Sequence, residues 1–156
     1  MAAPSAWIIP NLAKLNILEG ATGELRAGSA NYRAVLITSA FTPNNATNEL
    51  YATISGNELS TGNGYTAGGV ALSGVTLTQT GGVVTFDAAD LVWTASGSGI
   101  PAWRYCYIYY LGTLNGKVNP LVCYCIGDSA PADIPLTTSP NTITFQLSAS
   151  GIISAT

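Results

Sequence analysis

The side chains best suited by type to do chemistry here are three cysteines and eight carboxylates, in a chain with no histidine. Without an imidazole, proton transfer near neutral pH falls to carboxylates, and two of them flanking a bond are what glycoside hydrolysis employs. The eight are Glu19, Glu24, Glu49, Glu58, Asp87, Asp90, Asp128 and Asp133. The closest pair, Asp87 and Asp90 in FDAAD, follows a strand-like apolar run. Its short side chains are expected to hold backbone N–H groups of a turn, not a substrate. Cys106, Cys123 and Cys125 are an odd, tightly grouped set, unlike a disulfide framework. With no histidine and no fourth sulfur they leave a tetrahedral zinc site incomplete, so they are expected to be buried thiols acting as small apolar groups. The glycines of SGNELSTGNGYTAGG lack the lysine of a phosphate-binding loop, and the neighbours of Asp128 and Asp133 are too poor in oxygen ligands for a calcium loop. The chain is therefore expected to be no enzyme and to use no cofactor or metal.

The other side chains with something to offer are aromatic. WRYCYIYY at 103–110 and LVCYCI at 121–126 flank Asn115-Gly116, the strongest short turn signal in the chain, because a type I′ turn requires positive φ at both central residues. A two-residue loop pairs Leu114 with Lys117. Counting outward sets Tyr110 opposite Leu121, Ile108 opposite Cys123 and Cys106 opposite Cys125, with Pro120 opposite Leu111 where its missing N–H costs no ladder bond. One face then carries smaller apolar groups. The other carries Trp103, Tyr105, Tyr107 and Tyr109 with Val122, Tyr124 and Ile126, and each tyrosine hydroxyl there needs a polar partner or water. Two readings follow: a subunit contact, since interface cores are rich in aromatics and poor in charge, or the side of the sheet that packs on the chain's own core. The first is preferred, making Trp103, Tyr105, Tyr107, Tyr109 and Tyr124 interface candidates.

The elements that must position these residues are mostly strands. The chain has 156 residues and 16.0 kDa, enough for one domain. Only 8% of its residues are charged, against roughly 25% in an average soluble domain, so its surface is expected to be covered by something. A membrane span needs about 20 consecutive apolar residues and none exists, which leaves other protein subunits. Five scattered basic residues (Lys14, Arg26, Arg33, Arg104, Lys117) and a net charge of −3 give nothing to follow a phosphate backbone. MAAPSAWIIP has no secretory pattern, so folding in the cytoplasm of the cell that makes the chain is expected. Residues 1–10 read as an extended arm whose Trp7, Ile8 and Ile9 bury against a neighbouring subunit or the chain's own domain, and residues 11–156 as a single β-rich domain.

Leu12, Leu15 and Leu18 have helical spacing, with Asn11 as N-cap and Gly20 past the end. YRAVLITS at 32–39 reads as a central strand buried on both faces, and residues 42–61 as an excursion with a helical turn or two. Val70, Leu72, Val75 and Leu77 change phase at Ser73-Gly74, predicting a bulge. Gly81-Gly82 predicts a hairpin into 83–87. Further strands are expected at 91–94, 103–111, 121–126, 142–147 and 151–154. The predicted class is mainly β: an antiparallel β-sandwich or barrel with one or two short helices.

Tyr65-Thr66-Ala67-Gly68-Gly69-Val70, then Val84-Thr85-Phe86-Asp87-Ala88-Ala89-Asp90 with Trp93, together with YRAVLITSAFTP and GDSAPADIP, resemble a family of small tailed-phage virion proteins of capsid and head–tail type. The likeness spans roughly residues 11–155, and its motifs are structural punctuation without chemistry. It implies a structural component of a bacteriophage virion: a capsid decoration or cement protein on the major capsid protein, or else a tail, neck or fibre-associated protein. A third reading is a carbohydrate-binding β-sandwich that stacks host sugars on exposed Trp103, Tyr105 and Tyr107. The expected partners are virion proteins and further copies of the chain, with a trimer as the working number, and neither nucleic acid nor membrane.

Overall fold

A computed structural model describes residues 4–18, 31–130, 132–147 and 151–155. The fold is mainly β, built from antiparallel sheets in a sandwich-like arrangement. Helix α1 (Asn11–Leu18) precedes strands β1 (Tyr32–Ile37), β2 (Val70–Ala71), β3 (Thr76–Thr80), β4 (Val83–Asp87), β5 (Leu91–Thr94) and β6 (Tyr105–Tyr110). There follow β7 (Thr113–Leu114), β8 (Lys117–Val118), β9 (Leu121–Ile126), β10 (Thr142–Phe145) and β11 (Ile153–Ala155). Two short 3-10 turns, Tyr51–Thr53 and Ser55–Asn57, lie between β1 and β2.

The principal sheet has the order β2-β1-β6-β9. Its strands YRAVLI, YCYIYY and LVCYCI lack a polar alternation because both faces are covered, as runs of this kind require. One face gives Ala34, Leu36, Cys106, Ile108, Cys123 and Cys125 to the main core, where they meet Phe86, Leu91, Trp93, Ile143 and Phe145 from the second layer. That layer consists of the pair β5–β10 and the sheet β11-β4-β3. The opposite face gives Val35, Ile37, Tyr107, Tyr109, Leu121 and Tyr124 to a smaller core roofed by Phe41, Tyr51, Ile54 and Ile8. At about 1.5–3 kcal/mol for each large apolar side chain withdrawn from water, this second core is a substantial part of the fold's stability.

The chain's own segments supply further bonds to β1 past the end of β2 and to the edge strand β9. Beyond β2, the edge of β1 is met by Asn57, whose carbonyl accepts from Thr38 N–H (2.9 Å), and by Leu59, whose N–H donates to Leu36 O (3.1 Å). The edge of β9 is met by the arm and by Glu49, whose carbonyl accepts from Leu121 N–H (2.8 Å).

Several sequence expectations need correction. The helix has the expected span, but Lys14 N–H bonds to Pro10 O, so Asn11 is its first helical residue and not its cap. Among the helix side chains described, Ala13 is buried and Leu15 is 47% exposed, so Leu15 does not face the core; Gly20 lies outside the described residues. At Gly74 the chain does not bulge within one strand. It leaves the principal sheet after β2 and enters the second layer as β3, which accounts for the change of phase.

The Asn115-Gly116 turn has positive φ at both residues and pairs Leu114 with Lys117 as expected. Cys106↔Cys125, Tyr107↔Tyr124 and Ile108↔Cys123 also hold, but the register then slips so that Tyr109, not Tyr110, faces Leu121. Pro120 O accepts from Tyr110 N–H, and Asn119, at φ 50°, exchanges bonds with Gly112, which restores the expected count toward the turn. The slip turns Leu121 onto the tyrosine side and Val122 onto the main core, the reverse of the expectation.

Candidate interaction surface

The tyrosine face is closed by residues of the same chain. Tyr107 and Tyr109 are paired with Val35 and Arg33 on β1, so the face is flat and continuous across three strands. Tyr124 stacks on Tyr107 with centroids 4.7 Å apart, and Tyr51 stacks on Tyr109 at 4.5 Å. Phe41 meets Tyr107 edge-on at 6.1 Å. Tyr107, Tyr109 and Tyr124 are buried and Tyr105 is half-buried against Tyr124. The roof 41–58, whose own sequence pattern is weak, covers these rings within the chain, so Tyr107, Tyr109 and Tyr124 do not form the open face that a subunit contact was expected to use.

The hydroxyls are served unequally. Tyr109 donates to Gly68 O (3.0 Å) and Tyr124 to Asn45 Oδ1 (3.0 Å). Tyr107 Oη is buried with no hydrogen-bond partner, and burial pushes its ionisation well above that of a free phenol. Glu58 organises the rest. Its carboxylate accepts from the Tyr51 hydroxyl, from the Tyr65 hydroxyl (2.6 Å) and from Gly68 N–H (2.8 Å). The Tyr65 oxygen in turn accepts from Leu36 N–H (3.1 Å), supplying a strand edge with the bond that β2 is too short to make. Burial first, and the Glu58 carboxylate second, raise the ionisation of Tyr51 and Tyr65. The sequence carries one hint of this cluster, a single carboxylate midway between two tyrosines in an uncharged stretch, and its role was not legible from that.

Gly69 fixes the adjoining turn. Its φ is +75°, and a Cβ there would lie 2.0 Å from Ala34 O, so only glycine lets the YTAGG turn approach β1. Arg33 Nη1 donates to Gly69 O (3.2 Å).

The arm docks on its own domain. Ser5 N–H donates to Ile126 O (2.9 Å), Ser5 Oγ accepts from Ile126 N–H (2.9 Å), and Ile8 and Tyr124 exchange both backbone bonds, so residues 5–8 lie along β9 as an added strand. Strand alternation sends Trp7 and Ile9 to the main core and Ile8 to the tyrosine side; all three are half-buried. Trp7 meets Phe145 at 5.8 Å. Trp103 is not on the tyrosine face at all. It precedes β6, bridges to Ile134, and is 1% exposed in the main core beside Phe145.

Among the described residues the candidate chemical groups make structural contacts; Glu19 and Glu24 lie outside them. The three cysteines are buried free thiols, and burial pushes Cys123 and Cys125 well above the ordinary thiol range. Asp87 holds Ala88 N–H, Asp90 holds Leu147 N–H, and Asp128 holds Ala130 N–H. Asp133 pairs with Arg104 Nε (2.8 Å) and accepts from Ser39 Oγ (3.0 Å). Among the described residues no three His, Cys, Asp or Glu side chains gather as a metal site would need.

One long, partly accessible stretch is uncharged. From residue 59 to 86 the chain has no Asp, Glu, Lys or Arg. This stretch contains β3, whose five residues TLTQT are all exposed, and the β3–β4 hairpin bearing Leu77 and Val84, 41% and 40% exposed. β3 is the outermost strand of its sheet. Protein-family models, curated proteins and solved structures offer no match to this chain.

Proposed function

We propose that this chain is a structural component of a tailed-bacteriophage virion that works by binding other proteins, as a decoration or cement protein on the major capsid protein. The observation that carries this reading is the uncharged, partly apolar surface of residues 59–86, set on a fold whose described carboxylates make structural contacts and whose thiols are buried. A small domain of this kind adheres and does not react. Charge depletion with exposed aliphatic groups is the composition of an interface centre, and the resemblance of YTAGG and FDAAD to phage virion proteins supplies the kind of particle. No described helix is long and apolar enough to cross a membrane. A neck, tail or fibre position would use the same surface in fewer copies. Sugar stacking is disfavoured because Trp103 and Tyr107, which would form the platform, are closed off from a ring.

The test is add-back. Particles of the encoding phage made without this gene are mixed with the purified chain and sedimented. Saturable co-sedimentation with the shell is expected. A chain that stays in the supernatant at every concentration would overturn the proposal.

A further inference from the structure

We infer that β3 is a self-pairing edge: two copies of the chain join β3 to β3 antiparallel about a two-fold axis through Thr78. This goes beyond the virion reading and stands or falls separately from it.

Gly81 and Gly82 have φ of 58° and 87°, and Thr80 pairs with Val83, so the β3–β4 turn is a two-residue hairpin whose closing pair is hydrogen-bonded. Alternation then directs the N–H and C=O groups of Thr76, Thr78 and Thr80 toward β4, and those of Leu77 and Gln79 outward. Sheet edges in soluble proteins are commonly blunted by charge, proline, a bulge or a covering segment. In the principal sheet the chain's own segments bond to β1 and β9, as described. Among the described residues β3 has none of these devices: TLTQT is exposed, regular against β4, and free of charge and proline.

The occupant is a second copy because the edge complements itself. Antiparallel pairing centred on Thr78 sets Leu77 opposite Gln79 of the other copy, twice. These are the outward-pointing residues, so the register makes four backbone hydrogen bonds and leaves none of the four groups over. Thr78 meets its own counterpart as a non-hydrogen-bonded pair, with Thr76 opposite Thr80 on the same face, a threonine row of the kind that pairs favourably across strands. On the other face, shared with buried Phe86, the two Leu77 side chains meet diagonally beside Val84. No like charges are brought together at any position. The product is a continuous six-stranded sheet of two-fold symmetry, which departs from the trimeric expectation. One strand pair is a small contact beside the roughly 1,200–2,000 Å² of a stable interface, so the free protein pairs weakly and gains from multiple attachment.

Disulfide trapping tests the register on the full chain. The native cysteines are buried, so an introduced surface thiol reacts alone. In Thr78→Cys the two Cα atoms would lie about 4.5 Å apart, within disulfide range. Under mild oxidation it should cross-link at least about tenfold faster than Gln79→Cys or Val118→Cys, because pairing raises local thiol concentration. Adding Gln79→Pro, which removes an outward N–H without touching β4, should abolish the advantage, with circular dichroism confirming the fold. Equal rates for the three cysteine variants, or a faster rate for Gln79→Cys, would overturn the inference.

Discussion

Replacing Tyr107 by phenylalanine should stabilise the protein, an unusual direction for a change in a fully buried side chain. The ring is held by Tyr124 at 4.7 Å and by Phe41 at 6.1 Å, and phenylalanine keeps both contacts. The hydroxyl, however, is buried without a partner, and an unsatisfied buried polar group costs about 1–3 kcal/mol. Deleting one oxygen also loses a little packing, so the net gain should be about 1 kcal/mol. For a chain of this size that raises Tm by roughly 2–4 °C. Tyr65→Phe is the matched control: it removes a donor to Glu58 and the only acceptor shown for Leu36 N–H, so it should cost about 2–3 kcal/mol. Urea unfolding and calorimetry of the two variants beside the parent measure both signs. A loss of 1 kcal/mol or more in Tyr107→Phe would refute the reasoning, because it would mean that the hydroxyl is well bonded beneath the roof.

Three further outcomes follow from the same geometry. Gly69→Ala forces a positive φ on a Cβ residue and drives that carbon into Ala34 O, so it should cost about 3 kcal/mol or more, read as a fall in Tm of roughly 6 °C or more. The thiols should be nearly inert to Ellman's reagent in the native protein, and all three should react once guanidinium unfolds it, since each is buried and Cys123 and Cys125 are held protonated. Tyr51, Tyr65, Tyr107, Tyr109 and Tyr124 all ionise above the usual phenol value in the folded state. The unfolded chain therefore releases protons first, and stability should be flat through neutral pH and fall as pH rises above about 10. Absorbance at 295 nm against pH should show these tyrosines titrating together with unfolding, not before it.

What the sequence made legible was local. Gly81-Gly82 and Asn115-Gly116 declare their turns through the φ values they permit, and uninterrupted YRAVLI and YCYIYY declare strands covered on both faces. What it left open was which part of the chain does the covering. The tyrosine face reads as core or interface, with the interface preferred, until the roof 41–58 and Ile8 are placed on it, and that placement rests on contacts distant in sequence, such as Tyr124 with Asn45 and Tyr51 with Tyr109. The register near Pro120 departs from the hairpin count because Leu121 gives its N–H to Glu49 and not to β6, a bond no such count reveals. Trp103 shares the parity of Tyr105 but lies before the strand begins, where parity no longer sets direction. Gly74 signals a change of phase, and the same signal serves a bulge or a crossing between layers.

The central claim, that this chain is a structural part of a virion, is tested most directly by counting it in purified particles by quantitative mass spectrometry against the major capsid protein. A ratio near one or a simple fraction of one is expected, as for a subunit repeated over the shell. A ratio of a few per cent would contradict the decoration role and move the chain to the neck, tail or fibre, and its absence from the particle would contradict the virion reading itself.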